Sequence, residues 1–269
     1  MSDGERSMGV DDLRRLWPVP GVGDDKYSRG VVGIDTGSAR YPGAAVLSTL
    51  GALRAGAGFV RFCGAEAARQ TILARCPSVT FGTGRVNAWV VGCGWDDDAM
   101  NVSRLAARLS DDVPCVIDAG AMFVIEDALA SLGRSALPDN CLLTPHAGEL
   151  ARLLGVERKV VEAEPLRYAA DAAGRFGAAV LLKGAIQYCV GPKKTFTALP
   201  GPAWTAQAGS GDVLAGVAGA LLAASMDADV AGALAASLQA LTAKDHPGPW
   251  APDQLADFLP AEIARLASE

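Results

Sequence analysis

Short apolar runs alternate along most of the chain with longer amphipathic or small-residue stretches. The first run, Gly30-Val31-Val32-Gly33-Ile34, reads as a strand and ends in the polar turn Asp35-Thr36-Gly37-Ser38. A small-residue segment from Pro42 to about Ala55 follows, with proline in the first-turn position that a helix tolerates. Gly56 to Gly58 breaks it, and Phe59 to Cys63 gives the next strand, which completes a βαβ unit of parallel type. The small residues of that helix are accounted for by close packing on a strand, without any function. The same alternation recurs downstream. Ala88 to Gly94 is a buried strand ending in Gly92-Cys93-Gly94, and a charged surface helix is predicted around Asn101 to Leu109. Strands follow at Pro114 to Asp118 and Cys141 to Thr144, then a helix from Glu149 through Leu154 closed by Gly155. Val180 to Gly184 is a fifth buried strand, with Tyr188-Cys189-Val190 as a hairpin partner. Helices are predicted after Asp212, over Ala228 to Ala243, and over Pro252 to Leu266. Leu13 to Tyr27, punctuated by prolines and glycines, reads as an irregular lead-in.

This order predicts an α/β sandwich around a mainly parallel sheet, with residues 1–25 as lead-in and 26–269 as one domain. No internal repeat, low-complexity tract or linker interrupts it. The 269 residues can bury a sizeable core, and with half the chain hydrophobic and a fifth charged, global disorder is excluded. A net charge of −6 with scattered basic residues makes nucleic acid a poor partner. The polar, mixed-charge start carries no secretory apolar core, and the longest apolar run, Val213 to Met226, is too short and small-residue-rich to span a bilayer. Six cysteines without a C-x-x-C pair and only two histidines argue for buried free thiols and against a histidine zinc site. A cytoplasmic, reduced protein is expected.

The chemistry concentrates in one stretch, Thr205 to Ala224. Gly209, Ser210 and Gly211 form a tight turn that feeds a helix, with the carboxylate of Asp212 in its first turn. Converging backbone N–H groups and the positive end of the helix suit a phosphate or a developing oxyanion. Asp212 is placed there as a base, or merely caps a buried helix, since Asp is common in that position. Gly37-Ser38, Gly92-Cys93-Gly94, Asp118, Thr144-Pro145-His146 and Lys183-Gly184 also fall at strand carboxyl ends or helix starts. In a doubly wound sheet those ends share one edge, where ligands bind. Singly each has a structural explanation: His146 as a turn histidine, Lys183 as an edge residue, Asp118 as a cap.

Together these segments resemble the ribokinase-like superfamily and, more closely, its NAD(P)H-hydrate dehydratases. The specific matches are Thr144-Pro145-His146-Ala147-Gly148-Glu149 and Ala208-Gly209-Ser210-Gly211-Asp212-Val213-Leu214-Ala215-Gly216. Supporting ones are Lys26 with Gly30, Gly37-Ser38, Pro42-Gly43-Ala44-Ala45, Gly92-x-Gly94, Val116 to Gly120 and Lys183-Gly184, in the family's order over roughly residues 26 to 260. The epimerase domain often fused upstream in that family is not expected before Lys26. The resemblance implies a three-layer α/β/α sandwich and a homo-oligomer such as a tetramer. It also implies a reaction in which ADP or ATP phosphorylates the C6 hydroxyl of hydrated NADH or NADPH. Phosphate then leaves and the ring double bond returns.

Carried over residue by residue, Asp212 matches the catalytic base, and Gly209, Ser210 and Gly211 the anion hole. Lys183, Gly184, Ala185, Ile186 and Gln187, with Gly211, match the nucleotide-lining positions. Ala45, Gly94, His146 and Asp212 match positions that touch the hydrated dinucleotide. No protein metal ligand is implied: magnesium is expected with the nucleotide, held by phosphate oxygens and water. Glu149 is either a water-bridged contact to it or a helix-start residue. The chain departs from the family pattern at Pro202, where Asn is usual, at Gln207, at Cys93, where proline is often found, and at Asp35. Two other readings are a ribokinase-like kinase of a thiazole or pyrimidine and a non-catalytic nucleotide-binding member. The Thr144 to Glu149 segment and the Pro42 helix fit the kinases less well, and the intact Gly209 to Asp212 turn argues against loss of catalysis.

Overall fold

In the computed structural model the described residues are 5–192 and 194–268; residues 1–4 of the expected lead-in lie outside them. The strand runs seen in the sequence, joined by three short strands that were not, assemble into one ten-stranded sheet. Its strands are β1 (Arg6–Ser7), β2 (Val31–Asp35), β3 (Phe59–Phe62), β4 (Thr80–Phe81), β5 (Ala88–Val91), β6 (Cys115–Ile117), β7 (Leu142–Leu143), β8 (Ala179–Leu182), β9 (Tyr188–Val190) and β10 (Thr195–Thr197). The order is β1-β10-β9-β8-β7-β6-β5-β2-β3-β4, parallel from β4 through β8. β9 is the expected hairpin partner of β8, and β10 pairs antiparallel with β9. The central strands are buried on both faces, as parallel strands covered by helices must be. Val32 and Ile34 point into one core and Val31 into the other.

Helices cover both faces. One layer holds α1 (Val10–Leu16), α2 (Pro42–Arg54), α3 (Arg69–Arg75), α9 (Ser210–Ala223), α10 (Ala228–Asp245) and α11 (Pro252–Ser268). The other holds α4 (Asn101–Leu109), α5 (Ile125–Ser131), α6 (Ala147–Leu154), α7 (Arg158–Ala163) and α8 (Pro165–Phe176). This is the expected three-layer sandwich. No described helix is long and apolar enough to cross a membrane, and all six cysteines are free.

Two expectations change. The lead-in, expected to be irregular from Leu13, carries α1 as far as Leu16. Met8, Leu13 and Trp17 are buried, and β1 pairs with β10. The small residues of α2 meet a helix as well as the sheet. A Cβ on Gly51 would stand 2.2 Å from the Val213 carbonyl oxygen, and one on Gly216 2.1 Å from that of Ser48. α2 and α9 therefore touch backbone to backbone, which fixes where the first turn of α9 stands relative to α2. α9 is buried throughout from Val213 to Ala223, so its absence of charge is a packing requirement.

The chain runs from β2 outward to β3 and β4 and then returns to place β5 on the other side of β2. The sheet thus switches direction between β2 and β5, and ligands of such sheets sit outside the carboxyl ends of the strands at that switch. Thr36-Gly37-Ser38 and Gly92-Cys93-Gly94 lie there, joined by the Gly37 N–H donating to the Cys93 carbonyl at 2.7 Å.

Candidate functional site

Asp118 ends β6 and is almost fully buried, with 2% of its surface exposed. Its Oδ1 accepts from Lys183 Nζ at 2.8 Å and from the Thr144 hydroxyl at 2.7 Å, and its Oδ2 from the Cys93 thiol at 3.4 Å. Each partner arrives from the end of a neighbouring strand: Cys93 after β5, Thr144 after β7, Lys183 after β8. Ala119, the next residue, has φ 43°, a left-handed conformation that alanine adopts only under constraint. Burial disfavours the Lys183 cation, but Asp118 and Glu149 outweigh it and hold its pKa above the ordinary value.

Asp212 comes to this cluster from the other layer. Gly209, the N-cap of α9, has φ 95°, a left-handed conformation that favours glycine. The turn brings Gly211 against Lys183, where a Cβ would lie 3.1 Å from Nζ. A carboxylate oxygen of Asp212, the Cys93 sulfur and an Asp118 carboxylate oxygen all lie within 4.8 Å of one another. Burial, then the neighbouring Asp118 charge, raises the Asp212 pKa from 3.8 to about 7; Lys183 and a Cys93 hydrogen bond oppose the rise. The sequence leaves cap and base both open, and the placement of Asp212 beside Asp118 goes beyond what a cap needs.

The structure brings Lys183, Gly211 and Asp212 together. Gly94 packs against the start of α2, where a Cβ would lie 2.5 Å from the Ala44 methyl and 3.0 Å from the Tyr41 carbonyl oxygen. Ala45 is fully buried beneath Gly37. Gly184, Ala185 and Ile186 form the exposed β8–β9 turn, with Gln187 beside them. A cavity of about 660 Å³ opens over that turn, bounded by His146, Arg158, Glu162, Lys183, Ile186 and Tyr188. His146 and Lys183 are bridged as neighbouring strand ends.

His146 is the N-cap of α6. Its Nδ1 accepts from the N–H groups of Gly148 at 3.0 Å and Glu149 at 3.1 Å, while Glu149 Oε2 accepts from the His146 N–H at 2.8 Å. This reciprocal capping box gives Glu149 its helix-start reading. Gln207 ties two segments together, its Nε2 donating to the carbonyls of Trp204 at 2.8 Å and Trp250 at 2.9 Å. Asp35, the unusual carboxylate after strand one, is paired with Arg104 at 2.7 Å and Arg108 at 2.9 Å.

Sequence reasoning puts Asp118 and Cys93 at the ligand-binding edge but gives neither a role in the site. Asp118 is visible as a carboxylate at a strand end but has a cap explanation. Cys93 reads as part of a strand-end turn and as a departure from a proline pattern, with nothing to show that its sulfur faces two carboxylates. The group Cys93, Asp118 and Asp212 does not fit magnesium. That cation wants oxygen ligands in near-octahedral geometry, whereas this group includes a sulfur and an ammonium already holds Asp118.

A family model described as NAD(P)H-hydrate dehydratase matches residues 32–261. The chain belongs to that family. It is 34% identical over 240 residues to the ADP-dependent (S)-NAD(P)H-hydrate dehydratase of Xanthomonas campestris, covering 80% of this chain and 79% of that one. To the bifunctional NAD(P)H-hydrate repair enzyme Nnr of Mycobacterium tuberculosis it is 41% identical over 228 residues, 82% of this chain and 47% of that protein. The chain spans about half the length of the bifunctional relatives it matches. The Bacillus subtilis ADP/ATP-dependent NAD(P)H-hydrate dehydratase co-crystallised with ATP and Mg2+ superposes with a TM-score of 0.87 at 24% identity. That match covers 97% of this chain and 98% of the other. The fold is ribokinase-like.

Proposed function

We propose that this chain dehydrates (S)-NAD(P)H-hydrate to NAD(P)H at the expense of ADP or ATP. The observation that carries the reading is Asp212 at the first turn of α9, grouped with Asp118 and Cys93 and acted on by the Lys183 ammonium, with its pKa raised to about 7. A carboxylate so poised takes a proton near neutrality, which a general base requires. In the reading, Asp212 removes the proton from the C6 hydroxyl, whose oxygen attacks the terminal phosphoryl group. Charge on that group is met by the Gly209, Ser210 and Gly211 amides and by Lys183. The C–O bond to phosphate then breaks, the ring nitrogen's electrons assist its departure, and loss of a ring proton restores the double bond. NAD(P)H, inorganic phosphate and AMP or ADP are released.

The nucleotide lies over Lys183, Gly184, Ala185, Ile186 and Gln187, beside the cavity at the β8–β9 turn. The hydrated ring faces Gly94, Ala45 and His146. Magnesium comes with the nucleotide phosphates and water, and no step above passes through it. The reading takes residues 26–269 as one catalytic domain of a cytoplasmic homo-oligomer, which sedimentation tests. The deciding experiment supplies hydrated NADH or NADPH with ADP and ATP in turn. Recovery of absorbance at the reduced-nicotinamide band, with stoichiometric phosphate release, supports the proposal; no recovery with either nucleotide overturns it.

A further inference from the structure

Cys93 stands between Gly92 and Gly94 and is fully buried at the centre of the site. Its sulfur donates to Asp118 Oδ2 at 3.4 Å and lies within 4.8 Å of an Asp212 carboxylate oxygen. Burial first, then the charges of Asp118 and Asp212, push the thiol far above its ordinary pKa, so it keeps its proton. One proton faces two carboxylates. Asp118 has little need of it, because Lys183 and Thr144 already donate to its other oxygen. Asp212 makes no hydrogen bond to the backbone at the start of α9 among the described residues.

The other groups that act on Asp212 are Asp118 at the end of β6, Lys183 at the end of β8 and Glu149 in α6. The two carboxylates oppose its ionisation and Lys183, already committed to Asp118, favours it. Cys93 is the neutral donor among them. We propose that Cys93 is a positioning residue whose S–H turns from Asp118 to Asp212 as Asp212 loses its proton, stabilising and aiming the ionised base. The catalytic consequence rests on the dehydratase reading; the hydrogen bond does not.

The test measures the carboxyl midpoint of Asp212 directly, in the intact chain without substrate. Protein is labelled with 13C-aspartate, the Asp212 resonance is assigned by its loss in Asp212→Asn, and wild type, Cys93→Ala and Cys93→Ser are titrated. A hydrogen bond to a carboxylate favours its charged form, so Cys93→Ala raises the midpoint by about one pH unit. Cys93→Ser, which keeps a donor, returns it to or below the wild-type value. Identical midpoints in wild type and Cys93→Ala, or a serine midpoint as high as that of alanine, overturn the proposal. Should alanine not fold, serine against wild type carries the same comparison, because a hydroxyl is the stronger donor and lowers the midpoint. Turnover of hydrated NADH follows the same midpoints, with Cys93→Ala losing about fivefold at pH 7 and recovering at pH 9. A wild type that never turns over the hydrate sinks the dehydratase reading, while the NMR midpoints still decide the role of Cys93.

Discussion

The Lys183 ammonium donates to Asp118 Oδ1 at 2.8 Å, across 65 residues of sequence, at the point where α9 begins. That pair fixes a cation beside the Gly209 to Gly211 amides, and the missing side chain at Gly211 leaves room for it. A phosphoryl group approaching the turn would meet N–H dipoles and a full positive charge from adjacent directions.

Removing the ammonium leaves Asp118 as a buried carboxylate without its ion partner. Breaking a buried pair from one side costs about 3–5 kcal/mol. The Lys183 side chain keeps 17% of its surface exposed, so Lys183→Ala is expected at the lower end, about 2–3 kcal/mol, by chemical denaturation. Adding Asp118→Asn removes the stranded charge and restores part of that stability. It does not restore the rise in Tm that ADP or ATP produces by binding the folded state. If the single variant keeps the full nucleotide-dependent Tm shift, Lys183 plays no part in the nucleotide site.

Asp35 makes a contrasting case, a carboxylate at the switch point that is bound up in structure. It is buried between Arg104 and Arg108, whose guanidinium groups lie 4.1 Å over Trp95 and 4.4 Å over Trp89. The Trp95 indole also donates to the Asp35 carbonyl at 3.0 Å. Asp35→Asn is expected to lose about 3 kcal/mol of stability, because two arginines lose their counter-charge together. The acid limb of the rate profile should stay where it is. Movement of that limb with little loss of stability would place Asp35 in the site's electrostatics.

For His146 the capping box sets the expectation. His146→Ala leaves the Gly148 and Glu149 amides without their acceptor and costs about 1 kcal/mol, while His146→Asn, a good N-cap, recovers most of it. Substrate affinity separates the two roles. If His146 also touches the hydrated ring, asparagine restores Tm but not KM for the hydrate. If both variants bind the hydrate like wild type, the histidine is a cap alone.

Much of this molecule is legible in the unfolded chain. The apolar runs become the central strands because a parallel sheet covered on both faces demands them, and Gly155 closes α6 in the left-handed conformation. The edges are not legible. β1, β4 and β10 are two or three residues long, and α3, α7 and α8 carry mixed sequences whose apolar faces are narrow. α1 is hidden because its packing partners, α10 and α11, lie at the far end of the chain. In the site, Gly211 and Asp212 stand out as a small-residue turn feeding a helix and Lys183 as a strand-end residue, their roles coming from the family resemblance, whereas the Cys93 contact with Asp118 depends on how β5 and β6 register. Neighbouring-strand register is a property of the sheet that local sequence does not carry.

Asp212 ties catalysis to stability through one proton. Its pKa is raised from 3.8 in an ordinary environment to about 7 in the fold, chiefly by burial and by Asp118. Between those values the folded state binds a proton that the unfolded chain has released, so stability is greatest below about pH 4 and declines as pH rises through 7. A general base works in the opposite sense, and turnover should increase as Asp212 loses its proton. The wild-type rate is therefore expected to climb through pH 7, just as this residue's stabilisation, lost between about pH 4 and 7, runs out. Asp212→Asn removes both effects. At pH 8 it should be more stable than wild type by about 1–3 kcal/mol, and near pH 4 the difference should vanish. Turnover should drop by about 10²–10⁴-fold, the usual worth of a general base. Nucleotide affinity should hold or improve, since a negative charge near the phosphates is gone. Single-turnover NADH formation, nucleotide titration and denaturation at the two pH values, run on wild type and variant together, measure all of this. Near-normal turnover in Asp212→Asn would leave Asp212 as an ordinary first-turn residue of α9 and end the mechanism.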